Sequence, residues 1–446
     1  MSSAARARRR PSLGSGSGSV LLAGVLFLPA LVFYFGWATS LALGTTLTAL
    51  VLVGAAALQR APVLNAPSAP HVAAIVLTTV TVHALLACLF QPFDVLRALS
   101  SLAPLVVLIL GGNAWAKLLA SASPRTLDRI IARCFALMVM VALLAALGAA
   151  IPQPEGQGTY NKPLFPFTEP SHFALLFTPL LLYMCVVASG RRRLFVLLLG
   201  ALVALILQNL TLVGGLVVVT SVCLSRRMLP LLLIAGLAIL QMDLSYYADR
   251  LDFSGDIQNL SNLVYVQGWQ LMYESLSQSN GWGLGFQQLG VQGSNTSASQ
   301  IIFTLLGGDY ANILDGGFTM SKVISEFGIF GLGLIGIYLI AAWSAWRSLR
   351  MASQQPGSLH ALDVFACSVI VGYVVELLVR GTGYFTGTAI LLCAALWLRH
   401  SRRGLRPSHQ PTHARSSRVR RVWSVIRRPA ATATPPTPLA PSAPLA

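Results

Sequence analysis

Residues 20–58 read VLLAGVLFLPALVFYFGWATSLALGTTLTALVLVGAAAL, and they decide the class of fold. The run is apolar apart from polar Thr39 and Ser40 at its middle and a few threonines beyond. Each half approaches the roughly 20 residues that a helix needs to cross a bilayer. Working outward, runs of the same kind recur at 72–90, 95–112, 130–151, 171–189, 194–209, 211–224, 228–242, 320–345, 361–379 and 382–398. With 20–39 and 41–58 they predict about 12 transmembrane helices, an even number that returns the chain to its starting side. The stretch 194–224 is too long for one helix and short for two. A broken or re-entrant element around Gln208, Asn209 and Thr211 therefore stays open.

Composition agrees. Hydrophobic residues make up 55% of the chain, charged residues 10%, and mean hydropathy is +0.70. Soluble domains carry about 25% charged residues, so an all-α polytopic membrane protein is expected. A net charge of +17 would suit nucleic acid, but its distribution argues against that partner. Lys and Arg gather in every second gap and in the two tails, as the positive-inside rule predicts for cytoplasmic segments. Anionic headgroups of the lipid bilayer are the simpler partner. Both termini are thus predicted on the cytoplasmic side, with an uncleaved first helix. The six cysteines lie singly within apolar runs and read as small core residues.

The expected organisation is a basic, Ser/Gly-rich tail at 1–19, helices 1–9 over 20–242, a large outer loop at 243–319, helices 10–12 over 320–399, and a Pro/Ala/Thr-rich tail at 400–446. The loop is acidic, and Leu260, Val264, Leu271 and Leu276 within it predict an amphipathic helix lying on the membrane surface.

Only Arg97, Lys162, Arg250, Lys322 and Arg380 fall on the outer side. Three segments there could carry chemistry. In Thr168-Glu169-Pro170-Ser171-His172, Glu169 and His172 share one helix face and could share a proton, while Glu169 and Ser171 would also serve as helix caps. Arg380 sits in the shortest outer turn, ahead of Gly381, Gly383 and Tyr384. It could bind a phosphate by parallel hydrogen bonds or pair internally with Glu376 one turn deeper. Lys322 and Glu326 are four apart and could likewise form an internal pair. Trp269 and Trp282, with other loop aromatics, could stack on sugars or form an interfacial belt. No HExxH, CxxC, DxD or Walker pattern occurs in a plausible location, so no metal and no cofactor are expected. Cations at a membrane boundary suit a lipid-linked diphosphate, and carboxylate plus histidine suits deprotonation of a hydroxyl. Together they describe glycosyl transfer from a lipid diphosphate donor.

On four segments the chain resembles the Wzy-type O-antigen and exopolysaccharide repeat-unit polymerases of bacterial envelopes. These are FTEPSHFALL at 167–176, GWGLGFQQLG at 281–290, DGGFTMSKVISEFGIFGL at 315–332 and RGTGYF at 380–385. Their order and the large late loop carry the likeness over roughly residues 20–400. The resemblance implies a membrane glycosyltransferase of the bacterial inner membrane. It would move a growing glycan from undecaprenyl diphosphate onto a new undecaprenyl-diphosphate-linked oligosaccharide, with a repeat-unit flippase and a chain-length regulator as partners. It implies that Arg380 and Lys322 hold the donor diphosphate, that Glu169 with His172 activates the acceptor, and that Glu326 orders the pocket. Glu376, Tyr384, Trp269 and Trp282 would complete substrate binding. An O-antigen ligase shares the architecture, but the long loop has no histidine, where a ligase should carry one. A flippase should show pseudo-symmetric halves, and none is visible.

Overall fold

The computed structural model describes residues 13–37, 40–64, 66–147, 164–224, 260–291, 296–305, 316–381 and 383–403. These form thirteen helices: α1 (Ser15–Tyr34), α2 (Leu41–Leu58), α3 (Ala69–Cys88), α4 (Val95–Ala120), α5 (Pro124–Ala146), α6 (Pro170–Val187), α7 (Gly190–Leu207), α8 (Leu210–Cys223), α9 (Leu260–Gln278), α10 (Ser297–Leu305), α11 (Thr319–Gln354), α12 (Ala361–Leu378) and α13 (Gly387–Arg403). No strand occurs among the described residues. Eight of them, α1–α6, α11 and α12, are long and apolar enough to cross a membrane. The chain is an all-helical, multi-pass membrane protein. The expected helix at 228–242, most of the acidic residues of the large loop, Lys162, Arg250 and the tail beyond 403 lie outside the described residues.

Two helices form the centre of the bundle. The spanning window of α6 is 78% buried and that of α12 is 72% buried, against 22–39% for the other six. They pack on each other, and α6 also packs on α8. Close approach depends on small residues, because lipid tails supply no hydrophobic drive between helices. A Cβ on Gly215 of α8 would lie 2.3 Å from Thr178 Oγ1, and one on Gly372 of α12 would lie 3.2 Å from Pro179. Whatever stands at the ends of α6 and α12 is therefore fixed by the tightest part of the fold.

The ambiguous stretch 194–224 is two helices joined by a tight break. Gln208 ends α7 in the left-handed region (φ 44°), and the Asn209 side chain accepts from Leu212 N–H at 3.0 Å to cap α8. Other boundaries moved for packing reasons. The first helix starts at Ser15, inside the expected Ser/Gly tail, with Ser19 Oγ donating to the Ser15 carbonyl. The fourth runs on to Ala120, since Gly111 and Gly112 seat against Ala49 and Cys393.

The largest departure is in α11. Gly328 breaks its helical geometry at φ 56°, ψ −132°. The kink opens the helix at Ser325 and Glu326, whose carbonyls accept instead from Leu284 N–H and Gly285 N–H at 2.9 and 2.8 Å. Ile329 N–H donates to the Gly281 carbonyl at 2.9 Å. The Gly-rich stretch 281–285 is thus laid along the unwound turn, which satisfies backbone groups that could not be left unpaired in a membrane protein. A Cβ at Gly328 would meet the Gly281 carbonyl oxygen at 2.1 Å, and the positive φ is itself costly for other residues. Gly328→Ala should lower the thermal unfolding midpoint in detergent by a margin corresponding to at least about 2 kcal/mol. An unchanged midpoint would contradict this seating.

The amphipathic helix of the large loop is present as α9, but protein covers its apolar face. Leu263 and Val264 pack on Ala298 and Ile302 of α10, and Leu271 packs on Leu284 and Leu289. Placement on the membrane surface is not what these contacts show.

Candidate functional site

The N-terminus of α6, the turn after α12 and the first turns of α11 converge at one end of the bundle. Glu169 occupies the N-cap position of α6, yet its carboxylate makes no capping hydrogen bond. It accepts from Ser171 Oγ at 2.8 Å and from Arg380 Nη2 at 3.0 and 3.3 Å. The pair joins α6 to the turn after α12. Only Nη2 engages Glu169, so the other edge of the guanidinium is not used by this contact. The side chains keep 21% (Arg380) and 38% (Glu169) of their surface exposed, so the pair sits at a solvent boundary.

This pairing corrects one expectation. Arg380 does not pair with Glu376, because α12 ends at Leu378 and the chain has turned by Arg380, whose N–H bonds the Val375 carbonyl. Glu376 is instead 1% exposed and accepts from Thr386 Oγ1 at 3.4 Å, behind the turn. His172 lies near enough to Glu169 to act on its carboxylate by charge. The His172 ring lies against Thr168 Oγ1 at 3.5 Å and lines a small, mainly apolar cleft with Leu175, Thr386 and Thr388.

The guanidinium beside Glu169 holds its carboxyl down to about 2, outweighing the upward push of burial, and His172 and Ser171 act in the same downward direction. A carboxylate held so low is a weak proton acceptor near neutrality. The folded-state value lies below the ordinary 4.5, so the pair's stabilisation is complete above that pH and is lost as pH falls toward 2. Unfolding midpoints of the wild type should drop more steeply than those of Glu169→Gln below about pH 4.5 and should track them above it. Parallel curves throughout the acid range would contradict the pairing.

Across the same turn, Lys322 and Glu326 are buried, at 3% and 0% exposure. The Lys322 ammonium lies over the Tyr384 ring, 5.5 Å from its centroid, and 4.0 Å from where a Cβ on Gly383 would be. Tyr384 Oη donates to Glu326 Oε2 at 2.8 Å, and Phe286 stacks on the Tyr384 ring at 5.7 Å. Glu326 also accepts from Gln287 N–H at 2.9 Å and Leu289 N–H at 3.4 Å. One carboxylate thereby ties α11, the turn 380–385 and the Gly-rich loop together. Tyr384 is a post within this assembly, with its ring already occupied by Phe286 and Lys322.

The loop has a second anchor that sequence reading missed. Gln288, 0% exposed, accepts from Asp94 N–H at 2.7 Å and donates to the Asp94 carbonyl at 3.0 Å. Nothing local distinguishes Gln288 from Gln287; only tertiary placement does. The opposing loop closes in through Gly381 N–H, which donates to the Gly317 carbonyl at 3.0 Å. Gly317 (φ 74°) has no room for a side chain, since its Cβ would lie 2.3 Å from the Val264 carbonyl.

The two tryptophans separate. Trp282 stacks on His83 at 6.0 Å and meets Phe330 edge-on at 5.3 Å, so it braces the α11 kink against α3. Trp269, 41% exposed, packs its inner side on Phe318 at 5.2 Å. The structure thus brings Glu169, His172, Arg380, Lys322, Glu326 and Tyr384 around one turn, with Trp269 reached through Phe318 and Trp282 placed elsewhere.

No known family model matches the chain, and no curated protein matches it.

Proposed function

We propose that this protein is a membrane glycosyltransferase that polymerises lipid-diphosphate-linked oligosaccharides, with the 380–385 turn holding the donor diphosphate. The observation that carries this reading is the partly exposed Arg380, positioned by Glu169 through one edge of its guanidinium at the end of the two most buried of the eight spanning helices described. A guanidinium so placed suits a diphosphate, whose oxygens match its fork.

In this reaction the acceptor hydroxyl oxygen forms a bond to the anomeric carbon of the donor glycan, and the bond from that carbon to the diphosphate oxygen breaks. The lipid diphosphate departs with the electron pair, its growing charge met by Arg380. The acceptor's proton passes to His172, because Glu169 is engaged as the orienting partner of Arg380. Lys322 acts from behind the turn by charge, not by contact, and Glu326 holds the turn and Gly-rich loop in register. No nucleotide sugar or metal is required. The site faces the periplasm in this reading, with about 12 spanning helices and both termini cytoplasmic. It corresponds to the Wzy-type polymerases of O-antigen or exopolysaccharide assembly, served by a flippase and a chain-length regulator.

Deleting the gene in its host tests the reading. Surface glycan reduced to single repeats would support polymerisation. Full-length polymer stranded on the lipid diphosphate would assign the chain to ligation, and loss of lipid-linked repeats from the outer leaflet would assign it to transport.

A further inference from the structure

The end of α6 opposite Glu169 borders a second recess. It is a cleft of about 560 Å³ between α5, α6 and α7, whose lining includes Asp128, Tyr183, Arg191, Arg192, Phe195 and Val196. The 18 residues of α6 separate it from the Arg380 turn by roughly 27 Å. Three consecutive arginines open α7, and they have different surroundings. Arg193 is 8% exposed and donates to the carbonyls of Cys185, Ala188 and Ser353 at 2.7–3.1 Å, which closes the end of α6 and ties α7 to α11. Arg191 and Arg192 are exposed and make no hydrogen bond or ion pair among the described residues. Asp128, the one carboxylate among the lining residues, is engaged by Tyr183 Oη, which donates to it. Two cations in the first turn of a helix also lie at the positive end of its macrodipole, which disfavours them. Further along α7, Phe195, Leu198, Leu202 and Leu205 recur on one face as an exposed apolar stripe, with Phe195 66% and Leu198 52% exposed.

We infer that this cleft binds one acidic phospholipid, with its phosphate on Arg191 and Arg192 and an acyl chain along the α7 stripe. A phosphate meets both guanidinium groups with charge-assisted hydrogen bonds and is favoured by the helix end that the arginines themselves oppose. The apolar stripe alone would accept any lipid, and two exposed arginines alone would accept any anion. Their continuity on one helix, opening from a cleft between three, selects a molecule that is anionic at one end and hydrocarbon at the other. A soluble phosphate compound leaves the stripe uncovered. A zwitterionic lipid brings an ammonium group against the two unpaired cations. Basic recesses between helices on the cytoplasmic side are a recurrent setting for anionic headgroups, and this is the cytoplasmic end in the proposed topology. The bound lipid fills the seam between α5, α6 and α7 and braces the helix whose other end positions Arg380 through Glu169. The inference goes beyond the proposed reaction and does not depend on it.

The full-length protein, delipidated in a neutral maltoside detergent, is titrated separately with phosphatidylglycerol, phosphatidylcholine and inorganic phosphate. Native mass spectrometry counts retained lipid, and the thermal unfolding midpoint reports its consequence. Phosphatidylglycerol should be retained as a single tight equivalent and raise the midpoint; phosphatidylcholine and inorganic phosphate at the same concentration should do neither. The double variant Arg191→Gln/Arg192→Gln should weaken phosphatidylglycerol binding at least about tenfold and abolish the rise, while its lipid-free midpoint matches wild type because neither side chain has a protein partner to lose. Arg125→Gln/Arg133→Gln removes the same charge from α5 at positions that do not line the cleft, and it should leave binding essentially unchanged. Phe195→Ala should weaken retention several-fold by shortening the stripe. Equal losses in the two double variants would reduce the effect to diffuse attraction by a basic surface and overturn the site. So would equal retention of phosphatidylcholine. A midpoint rise reproduced by inorganic phosphate alone would assign the arginines to a free anion and overturn the lipid. A lowered lipid-free midpoint in Arg191→Gln/Arg192→Gln would make the arginines structural.

Discussion

Arg380→Ala is expected to lower the rate of glycan extension by about a hundredfold to a thousandfold, the usual range for deleting a preorganised donor to developing charge. The effect should fall on kcat as well as KM, because negative charge builds on the departing diphosphate between ground state and transition state. Arg380→Lys should recover only part of the loss, since an ammonium lacks the two-pronged geometry. Stability should barely move: the Glu169 pair is partly exposed, and such pairs contribute no more than about 1 kcal/mol. Purified variants compared for initial rate and for unfolding midpoint check both halves. A large fall in midpoint would mean that Arg380 is a structural strut. An unchanged rate would remove it from the donor site.

Glu326→Ala should produce the largest loss of stability, on the order of 3–5 kcal/mol, the range measured when one partner of a buried charge network is removed. The carboxylate is fully buried and accepts from Gln287 N–H, Leu289 N–H and Tyr384 Oη, and it offsets the buried charge of Lys322. Removing it leaves two amides and a hydroxyl without that acceptor, in surroundings where water cannot easily replace it. Glu326→Gln should cost less, because one oxygen remains to accept. Thermal unfolding in detergent, with proteolysis of the 281–290 segment as a local readout, separates global from local loosening. A midpoint within a degree or two of wild type for Glu326→Ala would refute the proposed anchoring.

Much of the membrane architecture was legible because it is written as apolar runs with abrupt ends. The run 41–58 is α2 to the residue, and α12 closes one residue short of the predicted 361–379. Where packing or a kink decides, the pattern is silent. The helix expected at 382–398 starts only at Gly387, because the preceding residues form the turn that carries Arg380 and Tyr384. The break at Gly328 could not be read from the apolar run expected at 320–345, which passes straight through it.

The candidate site was legible as a set of residues and not as a set of partners. Pairing Arg380 with Glu376 placed the two one turn apart where the helix surfaces, whereas α12 ends at Leu378 and the chain has turned by Arg380. The true partner, Glu169, lies 211 positions away in sequence and only tertiary packing reveals it. The same holds for Glu326, whose amide donors Gln287 and Leu289 belong to the Gly-rich stretch of the large outer loop. Local spacing rules see along a helix; this site is built across three.

The most direct measurement combines the purified protein in lipid nanodiscs with undecaprenyl-diphosphate-linked repeat units alone, without nucleotide sugar. The account predicts a ladder of products rising by one repeat, release of undecaprenyl diphosphate in step with each addition, and near-complete loss of both in Arg380→Ala. A single product with no ladder, or a ladder that persists undiminished in Arg380→Ala, would contradict it.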